Sequence, residues 1–228
     1  LAPLATVYGA AARVRRVLRP EALLTEPPLS VAIGNVRVGG TGKTPVVHDL
    51  GRRLSALGVR VAVLSRGYRA EGGGDEPDWL RRAGFEVLLD RDRTRSFERA
   101  RRAGADVVLL DDAFQTAVRP SLRLAIVLER DLARAPRPLP AGPGRETAGA
   151  LARADAILVR RHSGADPPLV DHSGERLRLG FRLEPFGWID RPDAEPRPLA
   201  ARPFDVPVAL VSGLARPESF EATCRALA

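Results

Sequence analysis

The residues best suited to chemistry form one short run, Gly39-Gly40-Thr41-Gly42-Lys43-Thr44. Before it, Ser30-Val31-Ala32-Ile33-Gly34 reads as a strand entering a glycine-rich turn, and Thr44 opens a helix. Strand, glycine loop and helix N-terminus together make an anion site. Glycines let backbone N–H groups approach phosphate oxygens, and the helix dipole adds to the attraction. In that setting Lys43 reaches the β- and γ-phosphates of a nucleoside triphosphate, ATP being the expected one, and the Thr44 hydroxyl holds Mg²⁺. Lys43 is the only lysine of the chain, although arginine is abundant. The strict phosphate-loop pattern wants glycine where Arg37 stands. The alternative is a glycine-rich turn followed by a chance Lys-Thr. A dinucleotide fingerprint fits poorly, because no third glycine follows at the needed offset.

Carboxylates and arginines occur where such a site needs them. Val107-Val108-Leu109-Leu110-Asp111-Asp112 reads as a buried strand ending in two acids, the position of Mg²⁺-associated residues in phosphate-loop enzymes. Gly72-Gly73-Gly74-Asp75-Glu76-Pro77 reads as a mobile loop carrying two more. Asp75 is a candidate base for a hydroxyl nucleophile and Glu76 a candidate metal ligand; the alternative is a solvated acidic turn. Arg66, in Ser65-Arg66-Gly67-Tyr68 after the second strand, stands where ligands sit in open α/β sheets. Arg66, Arg93 and Arg145 are each either phosphate grips or ordinary surface arginines. His48, His162 and His172 show no metal-ligand spacing, and His48 reads as structural. No serine or cysteine triad is arguable.

Short apolar runs supply the scaffold: Val31–Ile33, Val59–Leu64, Phe85–Leu89, Val107–Leu110, Leu124–Leu128, Ala156–Val159 and Val208–Val211. Runs this short and apolar suit strands buried on both faces of a parallel sheet. Helix-like stretches fall between them at Thr44–Leu57, Arg93–Ala103 and Arg145–Arg153. The alternation predicts an α/β fold, an α/β/α sandwich of phosphate-loop NTPase type with a mostly parallel sheet. We divide the chain into a basic amphipathic helix over 1–20, a phosphate-loop domain over 21–179, a proline-rich hairpin-like linker over 180–203, and the start of a second α/β domain over 204–228. One βα unit cannot bury its own faces, so a truncated copy of a longer protein is expected. The chain also opens on Leu1 rather than Met.

Bulk composition sets outer limits. The chain has 228 residues, 44% hydrophobic and 28% charged, a globular balance. A lone Cys224 excludes an internal disulfide and fits a reducing compartment. The net charge of +8 favours anionic partners. Leu4, Val7, Val14 and Leu18 fall near one side of the first helix, with Arg13, Arg15, Arg16 and Arg19 toward its end. That pattern suits a helix lying on an anionic membrane surface; the alternative is a basic helix packed on its own domain. Aromatics are only 5% with no stacking pattern, so no nucleic-acid partner is expected.

Taken in order, these motifs resemble one family, the tetraacyldisaccharide 4′-kinases of lipid A biosynthesis. The matching stretches are Ile33-Gly34-Asn35 through Pro45, Ser65-Arg66-Gly67-Tyr68, Gly74-Asp75-Glu76-Pro77, Asp92-Arg93, Asp111-Asp112-Ala113-Phe114-Gln115, Leu139-Pro140-Ala141-Gly142-Pro143 with Arg145-Glu146, and Ser212 through Phe220. The resemblance implies transfer of the γ-phosphate of ATP to the 4′-hydroxyl of a lipid-anchored disaccharide 1-phosphate. It also implies a monomeric, peripheral protein on the cytoplasmic face of the bacterial inner membrane. Lys43 and Thr44 match the phosphate and Mg²⁺ ligands, Asp75 the residue activating the sugar hydroxyl, and Glu76, Asp111 and Asp112 the Mg²⁺-associated acids. Asn35, Arg66, Arg93, Gln115 and Arg145 match substrate-binding positions. The sequence departs from the family pattern at Thr116, where the family has His, and at Gly144 and Thr147. The stretch between Tyr68 and Gly74 is also short. The family's C-terminal His motif is not found after Phe220.

Two other classes compete: a phosphate-loop switch protein and a catalytically impaired nucleotide-binding remnant. A GTPase switch needs a second lysine for its guanine motif, and a partitioning ATPase needs one early in the loop, where Arg37 and Val38 stand.

Overall fold

The computed structural model describes residues 1–67, 75–161, 176–185, 187–188, 194, 196–199 and 217–227. In chain order it contains α1 (Ala2–Val17), β1 (Ala22–Leu24), β2 (Leu29–Asn35), α2 (Lys43–Ala56), β3 (Val61–Ser65), α3 (Asp75–Arg82), β4 (Glu86–Leu89) and α4 (Arg93–Arg102). Then follow β5 (Val107–Asp111), β6 (Val118–Pro120), β7 (Leu122–Leu128), α5 (Glu129–Ala133), a 3₁₀ segment (Ala148–Arg153), β8 (Ala156–Arg160) and β9 (Leu177–Phe181). A short antiparallel pair, β10 (Gly187–Trp188) with β11 (Arg197–Pro198), and α6 (Pro217–Leu227) complete the elements. Two compact units result, Leu1–Phe181 and Arg182–Ala228.

The first unit is built on a seven-stranded sheet in the order β4-β3-β5-β2-β7-β8-β9, and every pairing in it is parallel. The central strands are apolar because both faces are covered. All five residues of β5 are buried, as are six of the seven residues of β2. On one face Val47, Leu80, Phe85 and Leu109 pack together; on the other Leu64, Phe97, Ala100 and Leu110 do so. Each of these valine, leucine and phenylalanine side chains stabilises the fold by about 1.5–3 kcal/mol. Helix α2 lies so close to the sheet layer that a Cβ on Gly51 would stand 2.7 Å from Phe85.

The fold class read from the sequence is the one found, with local differences. The predicted helix Arg145–Arg153 is only a 3₁₀ segment from Ala148, because Arg145 and Glu146 run alongside the phosphate loop instead. Asp75 and Glu76 open a helix rather than sitting on a loop, with Pro77 in its first turn, where a missing N–H does no harm. The sheet continues to Phe181, past the boundary drawn at Leu179. Its last strand, Leu177-Arg178-Leu179-Gly180-Phe181, is half-buried throughout, as an edge strand is, so it lacks the apolar run that marks the others. Val208–Val211 and Ser212–Arg216 lie outside the described residues.

At the N-terminal ends of β3 and β5, Asp106 accepts hydrogen bonds from the backbone N–H, Nε and Nη2 of Arg60 at 3.0, 3.1 and 2.9 Å. These bonds lower the Asp106 carboxyl from 3.8 to about 2. A depressed folded-state value gives stability that is present above pH ~4 and lost as pH falls toward ~2. Asp106→Asn should therefore unfold at a lower urea concentration than wild type at pH 7. The difference should shrink below pH ~4 and vanish near pH ~2, which urea melts across pH would read directly.

Candidate functional site

The site forms at the C-terminal ends of β2 and β5, where an open parallel sheet brings loops and helix N-termini together. Helix α2 begins at Lys43 with Gly42 as its N-cap residue, at φ 91°, and no side chain caps it. Helix α4 is the contrast: Asp92 accepts from Thr94 N–H and Arg95 N–H at 2.9 and 3.2 Å. The uncapped end of α2 leaves its first N–H groups free for an anion, which then does what Asp92 does for α4. Gly39, at φ 104°, has nothing within 4 Å of where a Cβ would stand, so the loop is open on its ligand side.

Each flank of the loop is fixed. Asn35 is fully buried and donates through Nδ2 to the Thr41 hydroxyl at 2.7 Å, so the Thr41 side chain points inward. Gln115 donates through Nε2 to the Asn35 carbonyl at 2.7 Å and to Glu146 at 3.1 Å. Arg153 clasps the same Glu146 carboxylate at 2.8 and 3.0 Å and covers the Phe114 ring at 4.7 Å. Val38 N–H donates to Pro143 and Arg145 N–H to Val36, each at a separate rung. Arg37, at the position where a glycine was expected, pairs with Asp131 at 2.8 Å and so turns away from the loop. Gly34 is required for a different reason: a Cβ there would lie 2.6 Å from Phe114 Cβ and 2.7 Å from its nitrogen.

The acids meet the lysine directly. Lys43 Nζ lies 3.5 Å from Asp112, whose carboxylate also takes Arg145 Nη1 at 2.9 and 3.1 Å. Asp112 holds φ 48°, the left-handed region rare outside glycine, where aspartate is among the better-tolerated residues. Burial pushes its carboxyl up, but the charges and hydrogen bonds of Lys43 and Arg145 outweigh that and hold it below the ordinary value. Asp111 behaves oppositely. Burial, then the nearby charges of Glu76 and Asp112, raise it to about 6. Its Oδ1 is buried with no hydrogen-bond partner. An orphaned carboxylate oxygen facing like charges fits a divalent cation, which would relieve both costs. Among the described residues no three acidic, His or Cys side chains form a complete metal cage. Mg²⁺ suits such a partial donor set, because it keeps water and phosphate oxygens as ligands, here beside the buried Thr44 hydroxyl.

The arginines divide. Arg66, Gln115 and Arg145 line a cavity of about 500 Å³ together with Asp112, Thr116, Tyr8 and Arg19. Arg93 does not. It is 3% exposed and donates through Nη2 to the Asp111 carbonyl at 2.8 Å. Burial and the nearby Arg66 charge lower its guanidinium to about 10. Arg93 and Asn35, expected as substrate contacts, are both buried: Arg93 donates to the Asp111 carbonyl and Asn35 to the Thr41 hydroxyl. The sequence readily suggests substrate roles for polar groups, but only packing tells which of them is sealed off. Glu146 falls in the Arg145-Glu146 stretch of the family resemblance but carries no expected role there, and nothing local in the sequence marks Arg153 or Asp131. The Asp75 side chain and Gly72–Gly74 lie outside the described residues.

A model of the LpxK family, tetraacyldisaccharide-1-P 4′-kinase, matches residues 1–228. The chain belongs to this kinase family. Tetraacyldisaccharide 4′-kinase of Acidithiobacillus ferrooxidans is 35% identical over 256 residues, covering 100% of this chain and 73% of that protein. The Pseudomonas aeruginosa protein of the same name is 36% identical, covering 100% and 72%. The crystal structure of the "apo" form of Aquifex aeolicus LpxK in complex with ATP superposes with a TM-score of 0.66 at 26% identity. It covers 78% of this chain, and the chain spans 62% of the length of that enzyme. Family membership makes the glycine loop and the Asp111-Asp112 strand end parts of a lipid A kinase rather than of a switch GTPase.

Gly34→Ala should lower stability by roughly 1–3 kcal/mol, because its methyl group would overlap Phe114 backbone and Cβ. Thermal melts would detect it, and an unchanged melting temperature would refute the close approach.

Proposed function

We propose that the chain transfers the γ-phosphoryl group of ATP to the 4′-hydroxyl of a lipid-anchored glucosamine disaccharide 1-phosphate, the lipid A precursor. The observation that carries this reading is the convergence of Lys43, Asp112 and Arg145 on an uncapped helix N-terminus beside a cavity of mixed polar and apolar lining. The amides of the glycine loop and the N-terminus of α2 bind the triphosphate, and Lys43 leaves Asp112 for its phosphate oxygens. Thr44, Asp111, Asp112 and Glu76 are the residues that would hold Mg²⁺, which neutralises charge on the phosphates when bound. Asp75 takes the proton of the 4′-hydroxyl as its oxygen bonds to the γ-phosphorus and the bond to the ADP oxygen breaks. Arg66 and Arg145, exposed to the cavity, orient the acceptor and its anionic groups. Thr116 lines the same cavity where the family pattern has His; its hydroxyl already donates to the Ala113 carbonyl at 2.6 Å, so it can offer a ligand only an acceptor, without charge.

Helix α1 brings the acceptor to the site. Leu4, Val7, Val14 and Leu18 are 60%, 65%, 55% and 75% exposed, while Ala5 is buried and Gly9 packs near Thr147 and Pro138. Large apolar side chains thus point outward and small ones inward, the arrangement that suits a helix seated in a lipid interface. Tyr8 and Ala12 of the same helix line the cavity that holds Asp112, so a lipid-anchored sugar would meet the phosphate site from the membrane plane. No helix among the described residues is long and apolar enough to cross a membrane. The outward apolar face of α1, and the need for ATP, support a peripheral position on the cytoplasmic face of the bacterial inner membrane.

The direct test is transfer of labelled γ-phosphate to the lipid disaccharide by wild type and Lys43→Ala. Wild type should form the 4′-phosphorylated product and the variant at least roughly 100-fold less, as expected on losing a charged phosphate contact. Equal rates would rule out this site. For the membrane face, Leu4→Glu with Val7→Glu should weaken sedimentation with anionic phospholipid vesicles by roughly tenfold or more. Unaltered sedimentation would instead leave α1 as an ordinary packed helix.

A further inference from the structure

His48 and Trp79 join the two helices whose first turns carry the site. Their rings are stacked, with centroids 4.5 Å apart and planes 10° from parallel. The edge of Phe85 completes the group, its ring centroid 6.1 Å from His48 at 87°. His48 lies on α2 four residues after Thr44 and five after Lys43. Trp79 lies on α3 four residues after Asp75 and three after Glu76. On a helix, residues three and four apart share a face. The stack is therefore one turn below the phosphate ligands on one helix and one turn below the acidic pair on the other.

Helix α3 needs such a tie. It is eight residues long, too short to be stable on its own, and its anchorage to the core is Leu80, which is 1% exposed, with Pro77. Trp79 stays 41% exposed and still lies flat on His48, so the contact fixes the azimuth of α3 about its axis rather than filling the core. That azimuth decides where Glu76 points, and the Glu76 charge already reaches Asp111 from there. Burial and the Arg52 charge lower the His48 pKa, so the neutral imidazole predominates at pH 7.

We propose that His48 is a positioning residue for phosphoryl transfer: stacked on Trp79, it holds the Asp75–Glu76 turn of α3 in register with the phosphate loop. The proposal rests on the kinase reading above for its activity arm only. Hydrogen exchange of the Asp75–Arg82 amides in the full chain tests the clamp itself, and ATP affinity and turnover test its consequence. His48→Ala and Trp79→Ala should each raise exchange in α3 by roughly threefold to tenfold, the factor for losing one aromatic pair. They should lower kcat for transfer by a comparable factor or more, with the Kd for ATP changed less than about twofold. His48→Phe, which keeps a flat neutral ring, should restore both. Unchanged α3 exchange in the alanine variants would overturn the proposal. So would a rise shared equally by β5, which would mark general loss of packing, or failure of phenylalanine to rescue. A wild-type chain that transfers no phosphate would refute the kinase reading while the exchange result still decides the clamp.

Discussion

The rest of the site depends on one arrangement of charge, the bridge Lys43–Asp112–Arg145 between the ends of two adjacent parallel strands. Two consecutive aspartates at the end of a buried strand repel each other and lose water together. The chain resolves this unequally. Asp112 adopts a left-handed backbone and turns toward two cations, which keep it ionised. Asp111 stays on the strand, 5% exposed, with one oxygen unpartnered and its carboxyl raised to about 6. One acid is thus satisfied within the protein and its neighbour is left needing a cation. This division prepares a site for a metal–phosphate ligand without collapsing it in the meantime.

Much of the surrounding structure serves to hold that geometry. Gly34 lets Phe114 approach β2, which sets the path of the chain after Asp112. Asn35, Gln115, Glu146 and Arg153 form a continuous polar chain from Thr41 of the loop to the 3₁₀ segment. A buried polar group left alone costs about 1–3 kcal/mol, and here the Asn35 Oδ1 is the member without a partner. The polar chain makes the loop a rigid object, so binding an anion need not order it first.

The fold was legible because its signals are local and repeated. β2, β3, β4, β5, β7 and β8 each carry an apolar run, and α2 and α4 fall between them. β9 was missed because an edge strand buries one face weakly and alternates Leu with Arg. The phosphate loop was legible for the same reason, with glycine, lysine and threonine adjacent in the chain. Long-range partners were not. Nothing near Arg37 predicts Asp131, and nothing near Gln115 predicts Glu146; the sheet order alone brings them together. Arg93 shows the limit most plainly. As a letter in a motif it reads as a phosphate grip, yet the strand order β3-β5 and the packing of α4 bury it under Asp111, whose carbonyl accepts from one of its nitrogens while Nε and Nη1 have no partner.

Helix α1 follows a different physical logic from the other helices. Helices α2 and α4 bury their large apolar residues against the sheet, and that burial holds them in place. In α1 the inward face is Ala5 and Gly9, which bury little area, while Leu4, Val7 and Val14, with Leu18 just past its end, face out. Each outward side chain leaves about 1.5–3 kcal/mol of transfer free energy unrealised in water. A monomer in solution gains nothing from that pattern. In the membrane-bound state proposed above a lipid interface would recover it, and small inward residues let the helix lie close to the cavity that Tyr8 and Ala12 help to line. The same choice of residues therefore accounts for both the exposed apolar face and the short path from that face to Asp112.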